Sequence, residues 1–208
     1  MSSPKDLLIK KLIKNGYLKS APIIEAFKEV DRRDFVLPEY EDLAYLDEAL
    51  PIGYGQTISQ PLTVAFMLEL LAPEPGEKIL DVGSGSGWTT ALLAQIVGAR
   101  GSVFGIEIIR ALVDFGRKNL AKYELPQVSI FQAHAELGLP RKAPFDRILV
   151  SASSPSLPEE LVKQLRVGGR MVAVVLNSVV KVDKISGKNI KKEEHSGFSF
   201  VPLILNNK

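Results

Sequence analysis

The sequence predicts an α/β fold: a mostly parallel central sheet with helices on both faces, preceded by an N-terminal helical extension. Three observations support this. Five runs of strand length recur along the chain, at Lys78–Val82, Gly101–Glu107, Val128–Ala133, Phe145–Ala152 and Arg170–Leu176. Stretches with helical spacing lie between most of them, the alternation that builds parallel sheets. The first run passes through Gly83-Ser84-Gly85-Ser86-Gly87 directly into a helix, which sets helix N–H groups and bare backbone beside a ligand.

With 208 residues, 46% of them hydrophobic, the chain can bury one full core. It reads as a single domain, with residues 1–56 as N-terminal helices and a covering loop and 57–208 as the core. A net charge of +2 is too small to require nucleic acid as a partner. The lack of cysteine excludes disulfides and thiolate metal sites, and no other metal cluster stands out. No apolar run approaches a membrane span, and Met1–Lys11 is charged rather than signal-like. A cytoplasmic monomer without membrane contact is therefore expected.

In chain order, Pro4 to Tyr17 sets Leu7, Leu8, Leu12 and Ile13 at helical spacing and stops at Asn15-Gly16. Ser20 to Val30 forms a second helix, with Ser20 as its cap and Pro22 in its first turn. Asp31 to Gln56 has little periodicity, yet its aromatic residues argue against disorder. Long irregular segments in compact domains are usually functional, so this one reads as an ordered loop that covers a site. Pro61 opens a helix reaching Leu71, and Ser59 stands where either a helix cap or a catalytic hydroxyl would stand.

The helix after the glycine turn, Trp88 to Val97, ends at Gly98, and the next strand closes on Glu107. Glu107 lies 26 residues beyond Asp81 (107 − 81), the scale of a strand–helix–strand unit. A carboxylate there can accept hydrogen bonds from both hydroxyls of a ribose. Ile109 to Tyr123 is an amphipathic helix, and the third strand runs into His134-Ala135-Glu136. Ser156 and Glu159 read as a capping box for a helix to Arg166, stopped by Gly168-Gly169. Ser178–Ser186 and Gly197–Leu205 read as a closing pair of strands, joined by a solvated Lys/Glu-rich loop over Gly187–Ser196.

The glycine turn narrows the choice of ligand. A dinucleotide fingerprint begun at Gly83 requires glycine where Trp88 stands, and one begun at Gly85 requires it at Thr90. A phosphate-loop lysine is absent as well. What remains, Asp81-Val82-Gly83-Ser84-Gly85-Ser86-Gly87, resembles the first motif of S-adenosylmethionine-dependent methyltransferases of Rossmann-like fold. That resemblance implies that Gly83, Ser84, Gly85, Ser86 and Gly87 lie against the cofactor and that Asp81 helps orient its ammonium end.

A narrower resemblance covers nearly the whole chain. The run Asp47-Glu48-Ala49-Leu50-Pro51-Ile52-Gly53-Tyr54-Gly55-Gln56-Thr57-Ile58-Ser59-Gln60-Pro61 is similar to the segment before the cofactor motif in protein-L-isoaspartate (D-aspartate) O-methyltransferases. Val30–Val36, Ala143–Ile148, Leu161–Gly169 and Phe200–Leu203 resemble that family too. The resemblance implies that Ser59 is the active-site serine and that Gln56, Thr57, Ile58 and Ser59 line the cofactor. It also implies S-adenosylmethionine as methyl donor, S-adenosylhomocysteine as product, and isoaspartyl-containing peptides and proteins as acceptors. Where the family has Gly-Asp-Gly against the adenine, this chain has Ala133-His134-Ala135. His134 and Ala135 are then expected at the adenine, with a neutral His134 accepting from its amine or standing as an exposed loop residue. The Asn/Asp-Pro-Pro-aromatic signature of amino-group and adenine methyltransferases is absent after Phe145–Ala152.

Two alternatives differ in class. One keeps the fold and cofactor but changes the acceptor. The other is an interaction module with weak or no cofactor binding, suggested by the residues at 134 and 135. A nicotinamide oxidoreductase fails on the missing glycine at position 88.

Overall fold

The computed structural model describes residues 2–134 and 136–204. Two helices open the chain, α1 (Pro4–Lys14) and α2 (Ala21–Glu29). Ser3 and Asp6 cap α1 reciprocally, each side chain accepting from the other's backbone N–H. Ser20 occupies the cap position of α2 as expected, but its hydroxyl makes no cap bond. It donates instead to Glu69 Oε2 at 2.6 Å, while the N–H groups of Lys19 and Ser20 donate to Glu69 Oε1. The expected cap is a tether between the extension and the core.

Asp31–Gln56, expected as one irregular loop, holds two short 3-10 turns, Arg32–Phe35 and Pro38–Leu43, and a small hairpin. In the hairpin, β1 (Leu50–Gly53) pairs antiparallel with β2 (Gln56–Ile58). Strands of four and three residues are too short to display a period of two, so the hairpin leaves no pattern in the sequence. Tyr123 fixes this region to the core: its hydroxyl donates to Asp34 Oδ2 at 2.7 Å and accepts from the Asp31 N–H at 2.9 Å.

The remaining elements are α3 (Pro61–Leu71), β3 (Lys78–Val82), α4 (Trp88–Val97), β4 (Ser102–Glu107), α5 (Arg110–Leu120), β5 (Val128–Gln132), β6 (Phe145–Ser154), α6 (Glu159–Gln164), β7 (Leu165–Val175), β8 (Ser178–Lys184) and β9 (Ile190–Ser196). One sheet carries seven strands in the order β5-β4-β3-β6-β7-β8-β9. It is parallel from β5 to β7, and β8 and β9 add antiparallel to its edge. Side chains alternate between its faces, as strand geometry requires. Ile79, Val103, Leu149 and Val172 pack beneath α1 to α5, whereas Leu80, Ile106, Ile148 and Met171 pack towards Leu161 of α6. Both faces are covered, which explains the nearly continuous apolar strands.

Two expectations fail near the end of the chain. The Lys/Glu-rich segment read as a solvated loop is mostly β9, paired along its length with β8, and the connection shrinks to 185–189. Lys191, Lys192, Glu193 and Glu194 suit an exposed edge strand, where charge discourages further pairing; the same charge conceals the strand in sequence. Residues 197–204 are accordingly not that strand, and among the described residues they form one isolated bridge, Pro202 to Ser153. The capping box is also absent. Helix α6 begins after Pro158 with no side-chain cap, and Ser154 rather than Glu159 meets Ser156, its hydroxyl donating to the Ser156 carbonyl.

Candidate active site

Strand order reverses at β3, whose sequence successor β4 lies on one side and β6 on the other. In open parallel sheets the crevice beyond the carboxyl ends of such strands binds ligands. The glycine turn follows β3 into this crevice. It hangs from β4, since the Gly83 and Ser84 N–H groups both donate to the Ile106 carbonyl, at 2.9 and 3.1 Å. Gly85 and Gly87 adopt φ of +50° and +89°, which side chains rarely tolerate. Space is tight as well: a Cβ at Gly87 would stand 3.2 Å from the Gly116 carbonyl of α5, and one at Gly85 3.2 Å from Ile52 Cδ1 of the hairpin, so a neighbour would have to shift.

Glu107 closes β4 with 6% exposure. Its Oε2 accepts from the Gly85 N–H at 3.1 Å and its Oε1 from the Ile109 N–H at 2.9 Å. Each oxygen thereby keeps one lone-pair direction for a further donor. Asp81, expected to help orient the cofactor's ammonium end, is fully buried, and its Oδ2 accepts from Thr89 Oγ1 at 2.8 Å and Thr90 Oγ1 at 2.6 Å. Burial, opposed by these two hydroxyls and aided by the nearby Glu107 charge, pushes its carboxyl up to about 6. The carboxylate thus ties β3 to the first turn of α4 from beneath the loop.

Ser59 is freed by its neighbours. The cap residue of α3 is Gln60, which makes no side-chain cap bond. Asp47 takes that role across the loop: its Oδ1 accepts from the Leu62 N–H at 2.8 Å, and its carbonyl accepts from Gln60 Nε2 at 2.9 Å. Arg32, 2% exposed, fixes the backbone of the same segment. Its guanidinium donates to the carbonyls of Ala44 (2.7 Å), Glu48 (2.8 Å) and Ser59 (3.1 Å) and lies 5.3 Å from the Trp88 ring centroid. Burial lowers its pKa to about 10, with Asp47 acting in the opposite direction.

Three cavities run end to end over these residues. A cleft of about 580 Å³ lies over β4 and β5, lined by Gln56, Gly83, Glu107, His134 and Glu136 among others. A smaller one, about 320 Å³, lies over the glycine turn against Thr57, Ile58, Ser59, Gly83, Ser84, Gly85, Ser86 and Trp88. A wide one, about 1150 Å³, opens between α3 and the segment Gly197–Val201. Thr57, Ser59 and Ser151 line both of the last two. Two buried polar atoms on the glycine-turn cavity, Ser84 Oγ and Trp88 Nε1, have no partner among the described residues.

The structure therefore brings ten of the sequence-predicted residues onto the first two cavities: Gln56, Thr57, Ile58, Ser59, Gly83, Ser84, Gly85, Ser86, Glu107 and His134. Asp81 and Gly87 lie behind them as supports, and Ala135 is outside the described residues. Sequence reasoning missed Ser151 and Trp88, whereas the last segment, expected to help cover the site, does line it. The strand-end rule would have flagged Ser151 had the pairing of β6 with β3 been legible. Among the described residues, no group of three metal-ligating side chains occurs and no helix is long and apolar enough to cross a membrane.

Comparison with known proteins agrees with this geometry. The chain is 42% identical over 205 residues to protein-L-isoaspartate O-methyltransferase of Methanopyrus kandleri, covering 96% of this chain and 91% of that one. It is 43% identical over 202 residues to the enzyme of that name from Thermococcus onnurineus, covering 94% and 91%. Its fold matches a crystal structure of a Plasmodium falciparum protein-L-isoaspartate O-methyltransferase in complex with S-adenosyl-L-homocysteine, with a TM-score of 0.87 and 25% identity over 99% of this chain and all of that one. The family model for protein-L-isoaspartate(D-aspartate) O-methyltransferase matches residues 3–208. The chain belongs to that family and is an S-adenosylmethionine-dependent methyltransferase of Rossmann-like fold.

Proposed function

We propose that the protein methylates the free α-carboxylate of L-isoaspartyl residues, and of D-aspartyl residues, in damaged peptides and proteins. The ester then closes to a succinimide with loss of methanol, and hydrolysis of that ring returns part of the material to normal aspartate. The observation that supports this most is the position of Ser59, on the border between the glycine-turn cavity and the wide cleft.

The residues present suit S-adenosylmethionine. Glu107 has an open lone pair on each oxygen for the ribose hydroxyls, and the glycine turn offers backbone without side chains. The unpartnered Ser84 hydroxyl and Trp88 N–H would serve the carboxylate of the amino-acid end. When bound, the cofactor supplies a methyl group activated on a sulfonium. The acceptor carboxylate is already ionised near neutral pH, its ordinary pKa being ~4, so no general base is needed. Ser59 donates its hydroxyl to that carboxylate and holds it in line. Ser151, across the same junction, bounds its approach. A cation and an anion become neutral as the methyl moves, so a water-poor site favours the step, and alignment contributes several kcal/mol, ~7–11 at best.

The test is a tritiated-methyl assay on an isoaspartyl peptide beside its normal aspartyl twin. Selective labelling of the first is expected, and equal labelling or none would refute the acceptor. Ser59→Ala is expected to lower kcat about 100-fold, the scale of a lost positioning contact, while S-adenosylhomocysteine still binds.

A further inference from the structure

We propose that Glu136 is the residue by which this chain recognises the exocyclic amine of the cofactor's adenine. This rests on reading the 580 Å³ cleft as the nucleoside site. With the ribose on Glu107 at the end of β4, the base extends away from the glycine turn towards the end of β5. There the cleft is walled by Ile108, Ile109, Leu137 and Leu203, apolar surfaces that suit a flat ring. An amine carried into such a slot needs an acceptor, because a buried unpaired donor costs ~1–3 kcal/mol.

Three side chains on this cleft offer acceptors besides Glu107: Gln56, His134 and Glu136. Gln56 belongs to the hairpin whose Ile52 lies beside Gly85, and its amide offers one uncharged acceptor oxygen. A histidine ring has at most one nitrogen free to accept and that nitrogen must face the amine, whereas a glutamate side chain offers two acceptor oxygens. No lysine or arginine lines the cleft, and Glu136 has no ion-pair partner among the described residues.

The backbone after Glu136 is clamped. Buried Gln164 of α6 donates from Nε2 to the Leu137 carbonyl at 2.8 Å and accepts the Leu139 N–H at its Oε1 at 2.8 Å. Gly138 between them, at φ +90°, packs so tightly on Gln164 that a Cβ has no room. The clamp holds the backbone that directly follows Glu136, and His134 and Leu137 line the same cleft.

The experiment compares S-adenosylhomocysteine with S-inosylhomocysteine, which carries a carbonyl oxygen in place of the amine, by isothermal titration calorimetry. The wild type is expected to prefer the first by about tenfold, one lost charge-assisted hydrogen bond. Glu136→Ala should collapse the preference to within about twofold, Glu136→Gln should keep part of it through its amide oxygen, and His134→Ala should leave it intact. Glu136 is exposed, so these variants should fold, with circular dichroism as the check. A preference unchanged in Glu136→Ala, or abolished in His134→Ala, would overturn the proposal while the nucleoside reading stands. Wild type that binds neither compound would overturn both.

Discussion

At Asp81 the chain keeps a carboxylate without solvent contact, one oxygen held by Thr89 and Thr90 and the other without a partner. The folded carboxyl ionises at about 6 and the unfolded one near its ordinary 3.8. Between those values the native state holds more protons than the unfolded chain, so this group's contribution to stability falls as pH rises. Below 3.8 the penalty is absent; above about 6 it is complete, at ~3 kcal/mol for a rise of this size. Denaturant unfolding at a series of pH values should show the wild type losing ~3 kcal/mol relative to Asp81→Asn between pH 4 and 7, then running parallel to it. A constant difference across that range would place the ionisation elsewhere. That an acid ends β3 was legible in the sequence. Which way it turns was not, because the threonines that claim it follow in α4, eight and nine residues later, and their reach depends on the path of the glycine turn.

Among the elements, the hairpin and the segment before α3 owe their placement to one buried cation. Arg32 donates to four carbonyls from 44 to 59 and makes no ion pair among the described residues, so its removal leaves those acceptors unpaired in a dry site. Arg32→Met should cost on the order of 3 kcal/mol in unfolding free energy. Below its melting temperature it should lower kcat for an isoaspartyl peptide more than tenfold, while S-adenosylhomocysteine affinity changes little, because the glycine turn hangs from β4 and not from Arg32. Equal losses in both would mark a general loosening rather than a misplaced Ser59. Helix α5 acts on the turn from the other side: a Cβ at Gly116 would stand 3.0 Å from the Gly85 carbonyl and 2.9 Å from Ile130 Cδ1. Gly116→Ala should therefore weaken S-adenosylhomocysteine binding in calorimetry by about tenfold, with ~1–3 kcal/mol of overpacking cost in stability. The helix periodicity in this region was readable from sequence; the closeness of α5 to the turn was not, since it depends on two glycines facing each other from positions 29 residues apart (116 − 87).

For the whole molecule, alternating strand and helix revealed the sheet, but not its order, and so not the meeting of β6 with β3 that brings Ser151 beside Ser59. The same order brings residues 197–204 over the site. Gly197–Val201 borders the wide cleft and Pro202–Ile204 borders the nucleoside cleft. Ser153 anchors the segment between them, its N–H donating to the Val201 carbonyl at 2.9 Å and its carbonyl accepting the Leu203 N–H at 2.7 Å. On the function proposed above, a peptide in the wide cleft would pack against one half of this segment and hold down the other, beside the proposed cofactor site. Occupancy of one cleft would then couple to release from the other, and coupling of 1–3 kcal/mol corresponds to roughly 5–150-fold. The chain's one tryptophan, Trp88, lines the cavity between them and reports on it. Adding S-adenosylhomocysteine should change Trp88 emission, and stopped-flow displacement should then give its dissociation rate. With saturating isoaspartyl peptide that rate should fall at least about fivefold, whereas the aspartyl twin should leave it unchanged. Equal rates with and without the isoaspartyl peptide would reduce the segment to a fixed wall.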